Sequence, residues 1–205
     1  MCAACIEKVL LFPKDNGYFR IVFYFFKQVI IMDTEQKEMP TTPSELLAYL
    51  AELGIKYENT PHPAVFTAEE GEKYWKNIAG MHCKNLFCTE PNGNLWLIVA
   101  PALKRVDLKA LPALIGSKRL SFASEELLFE TLGVFGGSVT PFAVINDKEN
   151  RVGVVLDKEM MAQKKINFHP LTNTATTTIT PNDLLLFMQS CAHSPLIVPV
   201  CCKTN

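Results

Sequence analysis

Two apolar runs, residues 84–90 and 94–100, flank the tetrapeptide Pro91-Asn92-Gly93-Asn94. A turn rich in Asn, Gly and Pro between apolar segments of this length forces the chain back on itself as a β-hairpin. Helical signals lie on both sides of it. Ser44 reads as an N-cap, Leu46, Leu47, Leu50 and Leu53 follow at helical spacing, and Gly54 stops the helix. Thr67 with Glu70 three residues on forms a capping box for a helix running to about Ile78. Leu108 to Ile115, ended by Gly116, and Ser124 to Leu132, ended by Gly133, read as two more.

The C-terminal half mixes both kinds of element. Phe142–Ile145 and Val152–Leu156 read as a second hairpin, and residues 55–60, Ile166–Phe168 and Thr176–Ile179 as short strands. Pro181 opens a final helix over Asn182–Gln189. This order predicts an α/β (α+β) fold: a mixed, largely antiparallel sheet surrounded by helices. With 205 residues, 48% of them hydrophobic, the chain has enough apolar material for one packed domain.

Residues 1–42 read differently. Tyr18–Met32 is apolar and aromatic, but Arg20 and Lys27 interrupt it. It falls short of the ~20 residues that span a bilayer, and no small-residue cleavage site follows. It reads as an appended segment, either strand-forming or interfacial, and residues 33–43, with Pro40 and Pro43, as a linker. Translation from Met32 or Met39 is an alternative start. The expected division is therefore an extension over 1–42, a domain over 43–200 and a tail over 201–205.

A net charge of −1 argues against wrapping duplex nucleic acid through a broad basic face, while leaving room for a local pocket that holds a strand end. The seven cysteines, an odd number at irregular spacing, suggest a reducing cytoplasm rather than a disulfide framework. Cys2 and Cys5 form a C-x-x-C with no second pair, so no metal site is expected. No H-E-x-x-H, G-x-S-x-G, G-x-x-x-x-G-K-[ST] or G-x-G-x-x-G is present, and no cofactor is indicated. Cys83 beside His82 is no dyad by adjacency, because neighbouring strand residues face opposite ways. Glu69-Glu70 and Glu125-Glu126 suit the first turns of helices.

Three places remain for chemistry. Gly136-Gly137-Ser138-Val139-Thr140-Pro141 reads by pattern as a plain helix-to-strand connection, or as a turn whose backbone N–H groups cradle an anion or oxyanion. Lys84 at a strand start is either a solvated charge or a cation beside a pocket. His169, in Asn167-Phe168-His169-Pro170, is either hydrogen-bonded structure or a pocket residue, and His62 and His82 pose the same choice.

Several stretches taken together resemble the YbaK/ProX family of aminoacyl-tRNA deacylases, relatives of the insertion domain of bacterial prolyl-tRNA synthetase. They are His62-Pro63-Ala64-Val65-Phe66-Thr67, Lys84-Asn85-Leu86-Phe87, Val106-Asp107-Leu108-Lys109, Arg119-Leu120-Ser121-Phe122-Ala123, Leu132-Gly133, Gly137-Ser138-Val139-Thr140-Pro141-Phe142, Ile145-Asn146-Asp147, Val155-Leu156-Asp157-Lys158 and Asn167-Phe168-His169-Pro170-Leu171, with Thr176-Thr177 before the last helix. They occur in the family's order, and that order overturns the plain-connection reading of the glycine turn. Gly136 departs from it, standing where relatives often carry proline, a change that loosens the loop in this reading. The resemblance implies a hydrolase without a protein nucleophile, acting on the ester between an amino acid and tRNA. It implies Lys84, Gly137 and His169 as catalytic residues, and Thr67, Asn85, Ser138, Val139, Thr140 and Pro141 as substrate-binding ones. The expected substrate is Ala-tRNA(Pro), with Cys- or Ser-charged tRNA as alternatives. The expected partners are the tRNA acceptor end and prolyl-tRNA synthetase, with no membrane. A non-catalytic aminoacyl-tRNA-binding module is the competing reading, and a metal or redox protein built on the cysteines a third.

Overall fold

The computed structural model describes residues 8–13, 19–25, 28–34, 40–65 and 68–200. The chain divides into two compact units, Met1–Met39 and Pro40–Asn205. In the first, β1 (Lys8–Pro13), β2 (Phe19–Phe25) and β3 (Gln28–Thr34) form an antiparallel meander in the order β1-β2-β3. The described residues of the apolar run, 19–25 and 28–32, therefore adopt the strand alternative. Less of 33–43 is irregular than expected: β3 extends to Thr34 and a helix begins at Pro43, while residues 35–39 lie outside the described residues.

The second unit opens with α1 (Pro43–Glu52), capped by Thr42 rather than Ser44. Pro43 suits the first helical position because its missing N–H would be unpaired there, so the cap falls two residues earlier than predicted. Glu45 N–H donates to Thr42 Oγ1 at 3.3 Å, and Thr42 N–H donates to Glu45 Oε2 at 2.7 Å, closing a capping box. β4 (Glu58–Pro61) and α2 (Ala68–Trp75) follow. β5 (Met81–Thr89) and β6 (Leu95–Pro101) form the expected hairpin, with Phe87 opposite Leu97. Gly93 at φ 89° makes its turn.

Then come α3 (Leu111–Ile115), β7 (Ser121–Phe122), α4 (Glu125–Leu132), β8 (Val152–Asp157), α5 (Lys158–Met161), β9 (Ile166–Phe168), β10 (Ala175–Ile179), α6 (Pro181–Ser190) and β11 (Leu196–Val198). Eight strands form one sheet in the order β11-β8-β6-β5-β9-β10-β4, with β7 also on β5. The β6–β8, β8–β11 and β5–β9 pairs are parallel and the others antiparallel, so the sheet is mixed and mostly antiparallel.

One predicted strand is absent. Pro141–Asn146 is a 3-10 helix, so Phe142–Ile145 makes no hairpin with β8, which instead pairs in parallel with β6. Thr140 Oγ1 caps the segment by accepting from Phe142 N–H at 3.4 Å. Pro141 has no N–H to give a ladder. Phe142, Ala143 and Val144 are all buried, a pattern that alternation in a strand does not produce.

Both faces of the central strands are apolar. Leu97, Val99, Val154 and Leu156 pack with Leu46 and Leu50 of α1, Leu128 and Leu132 of α4 and Leu184 and Phe187 of α6. Ile98, Ala100 and Val155 face Leu111 and Ile115 of α3. Phe187 is fully buried and meets Phe142 edge-on at 5.3 Å between centroids and Tyr49 at 6.2 Å. Phe187→Ala is expected to cost about 3–5 kcal/mol through lost burial and the cavity it leaves. A fall in the urea midpoint with little change in slope measures it.

Candidate functional site

The turn after α4 is held from three sides. Gly133 ends the helix at φ 66°. Gly136 N–H donates to Glu125 Oε2 at 2.9 Å, and a Cβ on Gly136 would come within 2.4 Å of Glu125 Oε1. A proline there would lack this donor, whereas glycine supplies it and leaves room for the carboxylate. Gly137 lies at φ 81°, a conformation that only glycine adopts freely. Ser138 N–H donates to Phe135 O at 3.0 Å. Among the described residues no acceptor meets the N–H of Gly137 or Val139. The N–H of Thr140 likewise has no acceptor among the described residues.

β5 reaches this loop through Asn85, whose Nδ2 donates to Val139 O at 2.8 Å. Asn85 Oδ1 is buried without a partner, an arrangement costly enough to need a reason. Side chains alternate along the strand, so Lys84 lies on the opposite face from Asn85 and shares its face with His82 and Leu86. Lys84 is half-buried, and no acid pairs with it among the described residues.

On that face lies a group of histidines. His62 stacks on Tyr74 of α2 at 5.7 Å, and its ring is 6.3 Å from that of His169. His62 Nδ1 lies 2.8 Å from Pro63 O and Nε2 2.9 Å from Thr176 Oγ1. A carbonyl only accepts, so Nδ1 carries a proton. His169 Nδ1 donates in the same way to Ala175 O at 3.2 Å, which leaves its Nε2 lone pair free. Burial lowers the pKa of His169, against the bond to Ala175. His82 stacks on Trp75 at 4.5 Å and accepts at Nε2 from Asn167 Nδ2 at 3.0 Å. Asn167 Oδ1 accepts in turn from Thr178 Oγ1 at 2.7 Å. Burial first, then the neighbouring His169 and His62, push His82 down to about 4.

Of the sequence-predicted residues, the structure joins Asn85 to Val139 directly and sets Gly137, Ser138, Val139, Thr140 and Pro141 in one loop. Lys84 and His169 share no hydrogen bond or ion pair with that loop among the described residues. Thr67 lies outside the described residues, as do Cys2 and Cys5. Tyr74, Trp75, Thr178 and Glu125 were not legible as site neighbours. Each lies seven to twelve residues from the group it contacts, so no local pattern in the sequence marks it.

Other motif residues are scaffold. Asp147 is buried and accepts from Arg151 N–H at 3.0 Å and Val152 N–H at 2.8 Å. Asp157 is buried and accepts from Glu159, Met160 and Val200 N–H. Asn146 bridges Leu132 O and Thr41 N–H. Cys83 donates to Met81 O, and burial raises its thiol pKa and pushes Cys88 up to about 11, so neither is a thiolate nucleophile at neutral pH. Among the described residues no three His, Cys, Asp or Glu side chains gather as a metal set. None of their helices is long and apolar enough to cross a membrane. A cavity of about 450 Å³ lined by Lys56, Tyr57, Lys165 and Asp183 contains none of the predicted residues.

Residues 62–187 match the family described as the aminoacyl-tRNA editing domain. The chain belongs to that family. It is 37% identical over 159 residues to the prolyl-tRNA synthetase associated domain-containing protein 1 of Xenopus laevis, covering 75% of this chain and 94% of the relative. It is 39% identical over 140 residues to the prolyl-tRNA editing protein ProX of Acetoanaerobium sticklandii, covering 68% of this chain and 85% of that protein. The crystal structure of a candidate trans-editing enzyme for prolyl tRNA synthetase shares the fold, with a TM-score of 0.61 and 19% identity over 80% of this chain and 99% of that one.

The depressed His82 pKa sets a pH dependence. Unfolded, the ring titrates near its ordinary 6.5; folded, at about 4. Between these values the unfolded state binds more protons, so stability is full above the first and is lost as pH falls through the second. The urea midpoint is expected to fall on going from pH 7 to pH 4, less steeply in His82→Gln. Equal slopes in both proteins would contradict this role for His82.

Proposed function

We propose that the protein is a cytoplasmic trans-editing hydrolase that deacylates mischarged tRNA, Ala-tRNA(Pro) by preference. The observation that carries this reading is the glycine loop: Gly137 at φ 81°, with its own N–H and that of Val139 unclaimed and the turn tethered through Asn85. Preorganised N–H donors of this kind stabilise the charge that develops on an ester carbonyl oxygen. Water adds to the carbonyl carbon and the bond to the ribose oxygen breaks. The proton from water passes to that oxygen, with the neighbouring ribose hydroxyl assisting, and alanine and uncharged tRNA leave.

The chain's own groups position rather than attack. Lys84, with no acid beside it among the described residues, holds the negatively charged acceptor end. His169 is kept neutral by burial and in this reading lines the amino-acid pocket together with Ser138. A small pocket excludes larger residues by overlap, a sharper rejection than the ~1–3 kcal/mol a synthetase draws from one methylene. The mischarged tRNA comes from prolyl-tRNA synthetase, the expected partner. The competing reading is a binding module without hydrolysis, and it draws on Gly136 and Ser138, whose N–H groups are already committed.

Purified protein with Ala-, Ser- and Cys-tRNA(Pro) separates the two. Hydrolysis fastest for the alanyl ester is expected. Lys84→Ala and Gly137→Val are each expected to lower kcat/KM by about 10²-fold or more, with folding retained by circular dichroism. Unchanged hydrolysis in both variants would sink the mechanism, and tight binding without hydrolysis in the wild type would favour the binding module.

A further inference from the structure

Beside the glycine loop two phenylalanines stand out in water. Phe129 of α4 and Phe135 stack with centroids 4.7 Å apart and planes 18° from parallel. Phe129 is 37% exposed and Phe135 64% exposed. Leaving rings of this size in solvent forgoes the stabilisation of burying them, so an exposed, ordered pair calls for a partner. The pair is also fixed in place. Phe135 O accepts from Ser138 N–H at 3.0 Å, and the next residue, Gly136, is tied to Glu125 on the same helix as Phe129. One face of Phe135 is backed by Phe129, and most of the ring remains open.

Resting on the deacylase reading above, we propose that Phe135, backed by Phe129, is a stacking platform for an unpaired base at the 3′ end of the substrate RNA, next to the terminal adenosine. Two virtual Cα bonds separate Phe135 from Gly137, at most about 7 Å. A base beside the one that carries the ester comes within that reach. Aromatic rings accept any base on their π-face, which suits a shared single-stranded end. The charges nearby select the base over the backbone. Glu126 and Glu130 lie on α4 with Phe129, Glu130 paired with Arg151 at 3.4 Å, and Glu125 holds Gly136. A phosphate chain laid along this helix would be repelled, whereas an uncharged base would not.

The test uses the full chain with Phe135→Ala, Phe135→Leu and Phe135→Trp. One arm measures deacylation of Ala-tRNA(Pro). The other titrates an uncharged acceptor-stem hairpin with 2-aminopurine in place of the base before the terminal adenosine, and needs no hydrolysis. The wild type is expected to quench the fluorophore. Phe135→Ala is expected to abolish quenching and raise KM and Kd about 5- to 100-fold, Phe135→Trp to restore both, and Phe135→Leu to restore neither. A Phe135→Ala protein with unaltered KM and quenching overturns the platform, as does rescue by leucine equal to that by tryptophan. Weaker capture of prolyl-tRNA synthetase with unaltered RNA binding also overturns it, in favour of a protein-facing patch. Quenching without hydrolysis in the wild type would remove the deacylase reading and leave the platform standing. Hydrolysis without quenching would do the reverse.

Discussion

β5 is the strand on which the rest of this unit depends. It pairs with β6, β7 and β9, and through them reaches every other strand of the eight-stranded sheet. Its side chains alternate between two functions. Phe87 enters the larger apolar cluster and Cys88 the smaller, which anchors the strand between the layers of helices. Toward its N-terminal end the same alternation sends Asn85 to the glycine loop and sets Lys84 on the histidine face. A shift of one residue in the β5–β6 register would exchange those two side chains between faces.

The glycine loop is shaped by polar groups that are otherwise easy to read as chemistry. Glu125 fits the first turn of α4, where a carboxylate meets the helix dipole, and it also accepts from Gly136 N–H. Thr140 starts the 3-10 segment, and Asp147 and Asp157 spend their oxygens on backbone N–H groups. Buried carboxylates used in this way need no catalytic explanation. The donors left over in the loop, at Gly137, Val139 and Thr140, have no such partners among the described residues.

The histidine face rests on desolvation. His82 and His169 are kept neutral by burial, so each offers a defined donor and a defined acceptor rather than a charge. His82 stacks on Trp75 and accepts from Asn167, while His62 stacks on Tyr74 and meets Thr176. The ammonium of Lys84 then supplies positive charge on that face beside the neutral rings of His82 and His169.

Local chemistry determined much of this protein from the sequence. The Pro91–Asn94 turn, the stops at Gly54, Gly116 and Gly133, and the start at Pro181 each depend on φ preferences or missing N–H groups of a few adjacent residues, and each is found where the sequence places it. The ordered set of short motifs likewise sufficed for the family. Three features were not legible in this way. Phe142–Ile145 looked like a strand until Thr140 and Pro141 turned it into a 3-10 helix, the parallel β6–β8 pairing depends on segments more than fifty residues apart, and nothing local joins Asn85 to Val139 or His62 to Tyr74. Propensity and turn chemistry act over a few bonds. Which carbonyl an amide meets, and which histidine loses its water, depends on packing between distant segments, and the tertiary structure alone decided those.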